Sequence, residues 1–387
     1  MKKLLLHIGM PKTGSTSIQH FLKDNEVKLA NHRIHYIKAG FGPKRTKQSK
    51  LAQPLAYTLT PAAERREPPK VKREETANLL QQAIEEMETT DFDTYVISVE
   101  ELFPTFVDDI TTSDTKVSEL YRDWFNRVSE IAEITIIVYL RRQDLFVESL
   151  YAQFEKGGGS PLRLLTFTEF FNNLKTVGVF DYEKIVANLA AIPGVFEVII
   201  RPFERTQLFG GDAVIDFARY MGLNDIDGFS ISGEANTKNF PRQFSIMLQQ
   251  AAVTQTDKEL RRSFERMLES GKQLPEWALV NTGKYFMSPS ARAQLVAEFQ
   301  TGTDNLAKKY LDRDRMFTTE PSDSEDPNWT PPSDQEIQST ANHASTPPVV
   351  AQKPKGVQSN FAEDSAISTA QIRLTGRGKI LRRIFGD

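Results

Sequence analysis

The hydrophobic pattern opens with a short apolar run, Leu4–Leu6, closed by His7 and followed by the glycine-bearing stretch "GMPKTGSTS". Beyond it, Ile18, Phe21, Leu22 and Leu29 recur at helical spacing across Ser15–His32, and Arg33–Gly40 predicts a second strand. Glu74–Glu88 predicts a helix, and Asp93–Phe103 a buried strand running into a loop or helix. A helix over Val117–Ala132 precedes the clearest strand, "EITIIVYLRR", which is continuous and β-branched as a strand covered on both faces should be. Further helices are expected over Asp144–Glu155, Asp181–Ile192 and Gly211–Leu223, with a strand at Phe196–Glu204. Strands alternating with helices predict an α/β domain with a mainly parallel central sheet flanked by helices. From about residue 240 to 312 the pattern is helical, ending in Ser288–Asp314.

Polar stretches set the expected boundaries. Residues 41–75 are rich in Pro and Lys/Arg, which fits either a solvated loop or a mobile lid over an anionic ligand. Residues 317–371 are dominated by Ser, Thr, Pro and acidic groups, too few of them apolar to pack, and are expected to be a disordered linker. The last stretch, 372–387, interleaves Ile380, Leu381, Ile384 and Phe385 with Arg377, Lys379, Arg382 and Arg383. It offers a basic amphipathic tail to anionic lipid or a protein partner, or is simply a frayed end, since Gly376 and Gly378 oppose helix nucleation. The expected domain is therefore 1–316.

Composition narrows the chemistry. A net charge of −3 over 387 residues gives no global basic field, so bulk nucleic-acid binding is not expected and any anion site must be local. The absence of cysteine excludes a disulfide scaffold, a thiol nucleophile and a Cys-based zinc site. "MKKLLL" is too short for a signal-peptide core, and no apolar run approaches the ~20 residues of a membrane helix. A cytoplasmic protein is expected.

A strand, a tight glycine loop and a helix N-terminus form a natural anion site, because backbone N–H groups and the helix dipole face the loop. Gly9 and Gly14 have four residues between them, as in the nucleoside-triphosphate P-loop. That motif, however, places Lys directly after the second glycine. Here Ser15 stands in that place and Lys12 lies inside the loop. The stretch "PKTGSTS" instead resembles the 5′-phosphosulfate loop of sulfotransferases, commonly PKSGTTW or KTGTT. This resemblance implies a P-loop-like α/β fold and 3′-phosphoadenosine-5′-phosphosulfate (PAPS) as co-substrate. It assigns Lys12 to the bridging oxygen and the transferring sulfuryl group, and Thr13, Gly14, Ser15, Thr16 and Ser17 to the 5′-phosphate. A plain structural turn is the alternative for the loop taken alone.

The nucleotide's 3′-phosphate needs its own cation. In the resembled family an Arg ending a central strand and a Ser eight residues later supply it, and here Arg141 and Ser149 stand at that spacing. Arg grips phosphate with a bidentate fork and Ser adds a neutral donor. Arg142 lacks the spacing and ranks below Arg141. The resemblance covers about residues 1–314. For the general base it points to the end of the second buried strand, where relatives often read S-S-E and this chain reads Ser98-Val99-Glu100. Glu100 is the first candidate and Glu101 the second, against the alternative of carboxylates that merely favour a helix dipole. His35 is a weaker base, and His7 reads as a core histidine. Arg201 faces either the ligand or a structural carboxylate. The glycine-rich stretch Glu155–Arg163 is a flexible loop on the acceptor side or a connector.

The implied function is sulfuryl transfer from PAPS to a hydroxyl acceptor, a carbohydrate being the first candidate. No metal is expected, because the transferring group carries less charge than a phosphoryl group. Two other readings stay open: a P-loop kinase using ATP and Mg²⁺, and a non-catalytic binding module on the same fold.

Overall fold

Lys2–His7 forms β1, and its alternation explains its central place. Leu4 and Leu6, with Ile8 just beyond, enter one apolar cluster while Leu5 enters another on the opposite sheet face. A strand apolar on both faces must be covered on both. The computed structural model describes residues 1–37, 70–99, 102–107, 109–156, 167–231 and 286–321.

After β1 come α1 (Ser15–Asp24), α2 (Glu26–Asn31), β2 (Ile34–Tyr36), α3 (Lys70–Thr89), β3 (Thr94–Ser98) and the short α4 (Leu102–Thr105). Then follow α5 (Lys116–Ser129), β4 (Ala132–Leu140), α6 (Gln143–Lys156), α7 (Phe167–Val177), α8 (Tyr182–Ala190), β5 (Val195–Pro202), α9 (Ala213–Tyr220) and α10 (Pro289–Leu311). The five strands lie in the order β2-β3-β1-β4-β5, and all four pairings are parallel. This is the expected α/β architecture.

One face of the sheet packs Tyr95, Ile97, Ile134, Ile136 and Val138 against α3, α5 and α8, including Ile84, Phe125 and Ile185. The other packs Val96, Ile137 and Tyr139 against α1 and α9 through Ile18, Phe21 and Phe217. From β1 the chain first builds β2 and β3 on one side, then crosses to β4 and β5 on the other. The reversal falls between β1 and β4, and their carboxyl ends open the crevice in which sheets of this kind bind ligands.

Three local differences from the expected elements have physical causes. The helix over Ser15–His32 breaks at Asn25, whose amide donates to the carbonyls of Phe21 and Ser230, each at 2.8 Å. Its Oδ1 accepts from the Ser230 N–H at 2.7 Å, so a distant segment holds the break. Residues 70–73, expected only as the end of a loop, already belong to α3. The pattern of Phe170, Phe171, Leu174 and Val177 forms α7, which was not expected although its spacing is helical.

Past α10 the chain stays packed on the domain, with Met316 and Phe317 buried. Residues 38–69, 157–166, 232–285 and 322–387 lie outside the described set. With them go residues 41–69 of the lid reading, Gly157–Gly159, most of the helical region 240–312, the tail, and the linker from 322 on. Residues 317–321, expected as linker, instead pack on the domain through Phe317 and the bonds of Thr318 and Thr319. Among the described residues no helix is long and apolar enough to cross a membrane.

Candidate functional site

The loop between β1 and α1 is held in an uncommon backbone conformation. Lys12 has φ 71° and Gly14 φ 81°, both left-handed. Glycine adopts this freely; for lysine it costs about 1 kcal/mol or more. Gly14 caps α1, accepting from the Ser17 and Ile18 N–H groups at 2.9 and 3.1 Å. The Thr13 hydroxyl closes the turn by donating to the Met10 carbonyl at 2.5 Å. Gly9 is required by close approach, since a Cβ there would lie 2.1 Å from Ser15 Oγ. Ser15 Oγ itself is buried and has no hydrogen-bond partner among the described residues. Thr16 and Ser17 are half-buried in the first turn of α1.

Arg141, directly after β4, reaches this loop. Its Nη1 donates to the Lys12 carbonyl at 2.9 Å, and its backbone N–H points to Met10 Sδ at 3.4 Å. The guanidinium also lies 5.9 Å from the Phe203 ring, which packs beside Gly14. The Tyr182 hydroxyl fixes the strand end by donating to the Arg141 carbonyl at 2.6 Å. Thus the two motifs, 129 residues apart, meet at the carboxyl edge between β1 and β4. Ser149 lies two turns into α6, half-buried on the same stripe as Leu145 and Ala152.

Arg142 has the opposite fate and turns into the interior. It forms a fork with Asp144, Nε to Oδ1 at 2.7 Å and Nη2 to Oδ2 at 3.0 Å, and its Nη1 donates to Thr319. Arg292 of α10 joins the same carboxylate, Nε to Oδ2 at 3.2 Å. One turn along α6, buried Glu148 accepts the N–H groups of Phe286 and Met287 at 2.9 and 2.7 Å, leading into α10. These contacts make Arg142 a structural residue and fix α6 to α10.

Arg201 is also committed to structure. It grips Asp216 through Nε at 3.0 Å and Nη2 at 2.6 Å and donates to the Gln207 carbonyl at 2.8 Å. Glu204 accepts from the backbone and hydroxyls of both Thr318 and Thr319, and these bonds hold its carboxyl below the usual range against the opposing effect of burial. His35 pairs with Glu86 at 2.6 Å and stacks on Phe92 at the far edge strand. Glu100 and Glu101 lie outside the described residues. Sequence reasoning missed Asp144, Glu148, Asp216 and Arg292. Their signal was faint: charged residues at positions of amphipathic helices that turn out to face inward.

His7 is a core histidine, as expected, but a polar one. Its ring contacts Tyr139 and Phe217, and Nδ1 shares a 2.8 Å hydrogen bond with Ser98 Oγ. Burial lowers its pKa to about 3, so the ring is neutral. Unfolding returns it to the ordinary value near 6.5, where the unfolded chain binds a proton that the folded one refuses. Stability from this residue is therefore complete above pH 6.5 and declines from there toward pH 3, at up to ~1.4 kcal/mol per pH unit. Urea titrations between pH 7 and 4 should show a shallower acid decline in His7→Gln than in wild type. Equal slopes would refute the assignment.

Among the described residues, no three His, Asp or Glu side chains converge as a metal site requires. No family model matches the chain, and no solved structure matches it. An uncharacterized protein from Archaeoglobus fulgidus is 31% identical over 112 residues, which is 29% of this chain and 29% of that protein. The match thus spans under a third of either length.

Proposed function

We propose that the protein is a PAPS-dependent sulfotransferase on a P-loop-like fold, acting on a hydroxyl acceptor, with a carbohydrate the first class to try. The observation that carries this reading is the meeting of the Lys12–Gly14 loop and Arg141 at the β1–β4 crevice, joined by the 2.9 Å bond to the Lys12 carbonyl. A nucleotide with phosphates at both ends needs two cationic groups at one sheet edge, and these are the two. The buried, unpartnered Ser15 hydroxyl suits a phosphate oxygen. Strained backbone of the Lys12 kind recurs at ligand-binding loops.

In this reading the acceptor oxygen attacks the sulfur in line, and the bond from sulfur to the bridging oxygen breaks. The electron pair goes to the 5′-phosphate, leaving adenosine 3′,5′-bisphosphate and a sulfate ester. Lys12 neutralises charge on the leaving oxygen, and Thr13–Ser17 hold the 5′-phosphate. Arg141 and Ser149 take the 3′-phosphate. Glu100, with Glu101 as the second candidate, accepts the acceptor's proton.

Titration calorimetry with adenosine 3′,5′-bisphosphate and with ATP/Mg²⁺ tests the reading, since binding of ATP alone would move the protein to the kinase class. Arg141→Ala should weaken the bisphosphate by about 10- to 100-fold, the worth of hydrogen bonds to a charged group, and leave adenosine 5′-monophosphate nearly unchanged. Equal losses would place the 3′-phosphate elsewhere. Bisphosphate binding without sulfate transfer to any of a broad acceptor panel would favour the binding-module reading.

A further inference from the structure

Two buried polar atoms beneath the phosphate loop lack hydrogen-bond partners among the described residues: His7 Nε2 and Ser15 Oγ. Both side chains are almost wholly shielded, at 0% and 2% exposure, so neither atom is satisfied by bulk water. Both side chains border Gly9. A Cβ built on Gly9 would sit 2.1 Å from Ser15 Oγ and 3.4 Å from His7 Cε1. The missing side chain at Gly9 is what lets the Ser15 hydroxyl lie on the His7 side of the loop.

The rest of the ring's surroundings is accounted for. Nδ1 is taken by Ser98 Oγ, and the neighbouring Phe217 offers no polar atom. The Tyr139 hydroxyl, on the other neighbouring ring, is committed to Asp216 at 2.9 Å. Ser98 is itself held in place: Gln19 donates to its carbonyl at 3.2 Å, and the Val99 N–H donates to the His7 carbonyl at 2.9 Å. The imidazole is therefore anchored at one nitrogen and aimed by a rigid sheet edge.

We infer that His7 is a positioning residue for Ser15: the chain Ser98 hydroxyl to His7 Nδ1, His7 Nε2–H to Ser15 Oγ, and Ser15 hydroxyl to an anion oxygen orients the loop serine toward a bound phosphate. The inference rests on the reading of this loop as the 5′-phosphate site. The middle link is unmade in the structure, and the relay requires that ligand binding turn Ser15 toward the ring or seat a bridging water there. Each donor in such a chain polarises the next, so the serine hydroxyl is a stronger donor than it would be alone. A buried donor and acceptor left unmade are costly, which gives ligand binding a reason to complete the chain. The relay requires a neutral ring with its proton on Nε2.

Selective ¹⁵N-histidine labelling of the full chain reads that proton directly. The expected spectrum shows the Nε2–H tautomer for His7, with its Nε2 signal moving when adenosine 3′,5′-bisphosphate is added. An Nδ1–H tautomer, or no movement on saturation, overturns the relay. In calorimetry, His7→Gln, which keeps an N–H near the Nε2 position, should bind the bisphosphate within about threefold of wild type. His7→Asn, which keeps only the inner nitrogen, should lose about tenfold, as should Ser15→Ala, and the double variant should lose no more than either alone. Full additivity, or wild-type affinity in His7→Asn, counts against the relay. If His7→Asn does not fold, the tautomer alone decides. Wild-type protein that binds neither the bisphosphate nor inorganic phosphate would instead sink the reading of the loop, whereas normal wild-type binding with an Nδ1–H ring removes only the relay.

Discussion

Replacing Asp144 by alanine is expected to lower the melting temperature by about 10 °C or to abolish folding, the largest stability loss of any single substitution considered for this chain. The carboxylate is fully buried between two arginines that are themselves 3% and 1% exposed. Removing it leaves two guanidinium groups without their shared counter-charge, a change that costs about 3–5 kcal/mol for a buried pair. Each kcal/mol corresponds to roughly 2–4 °C for a domain of this size. Asp144→Asn keeps the shape but loses the charge and should fall between alanine and wild type. The network joins the start of α6, α10 and the strap at Thr319, so the loss is cooperative rather than local. Thermal unfolding followed by circular dichroism measures it. A shift under about 2 °C would mean that Glu148 or another carboxylate takes over the arginines' charge.

The contrast between Arg141 and Arg142 shows where sequence reasoning reached and where it stopped. The continuous, β-branched run Ile134–Leu140 predicts a strand and its end, and local spacing singles out Arg141. Local sequence does not show that Arg142 turns inward, because its place depends on Thr319, 177 residues away, and on Asp144, which is itself held by the distant Arg292. The same holds for Asn25, whose helix break depends on Ser230. Arg201 was open between ligand and ion pair, and the deciding partner, Asp216, sits on a helix read only as amphipathic. By contrast the helical spacing of Phe170, Phe171, Leu174 and Val177 marks α7 from local sequence alone. At the site, the loop and Arg141 were readable because glycine, lysine and strand-end arginine each leave a local mark. The orphaned atoms of His7 and Ser15 leave none, since both follow from how β1 and α1 enclose Gly9.

Lys12 offers a way to separate backbone strain from chemistry. In both Lys12→Ala and Lys12→Gly, sulfate transfer from labelled PAPS to an acceptor panel should fall by about 10²–10³-fold, the usual result of removing one preorganised positive group from a developing charge. Their stabilities should diverge. Alanine keeps a Cβ at φ 71° and leaves the strain in place, whereas glycine relieves about 1 kcal/mol of it, less the entropy that glycine gains on unfolding. Lys12→Gly should therefore melt no lower than Lys12→Ala and up to about 2 °C higher, while being equally inactive. A protein that becomes more stable when an inactive residue replaces a strained one has that strain for a functional reason. Should Lys12→Gly retain transfer, the lysine does not act at the leaving oxygen. Should it melt below Lys12→Ala, the entropy that glycine gains on unfolding outweighs any strain relieved at φ 71°, and the loop stores no strain for function to explain.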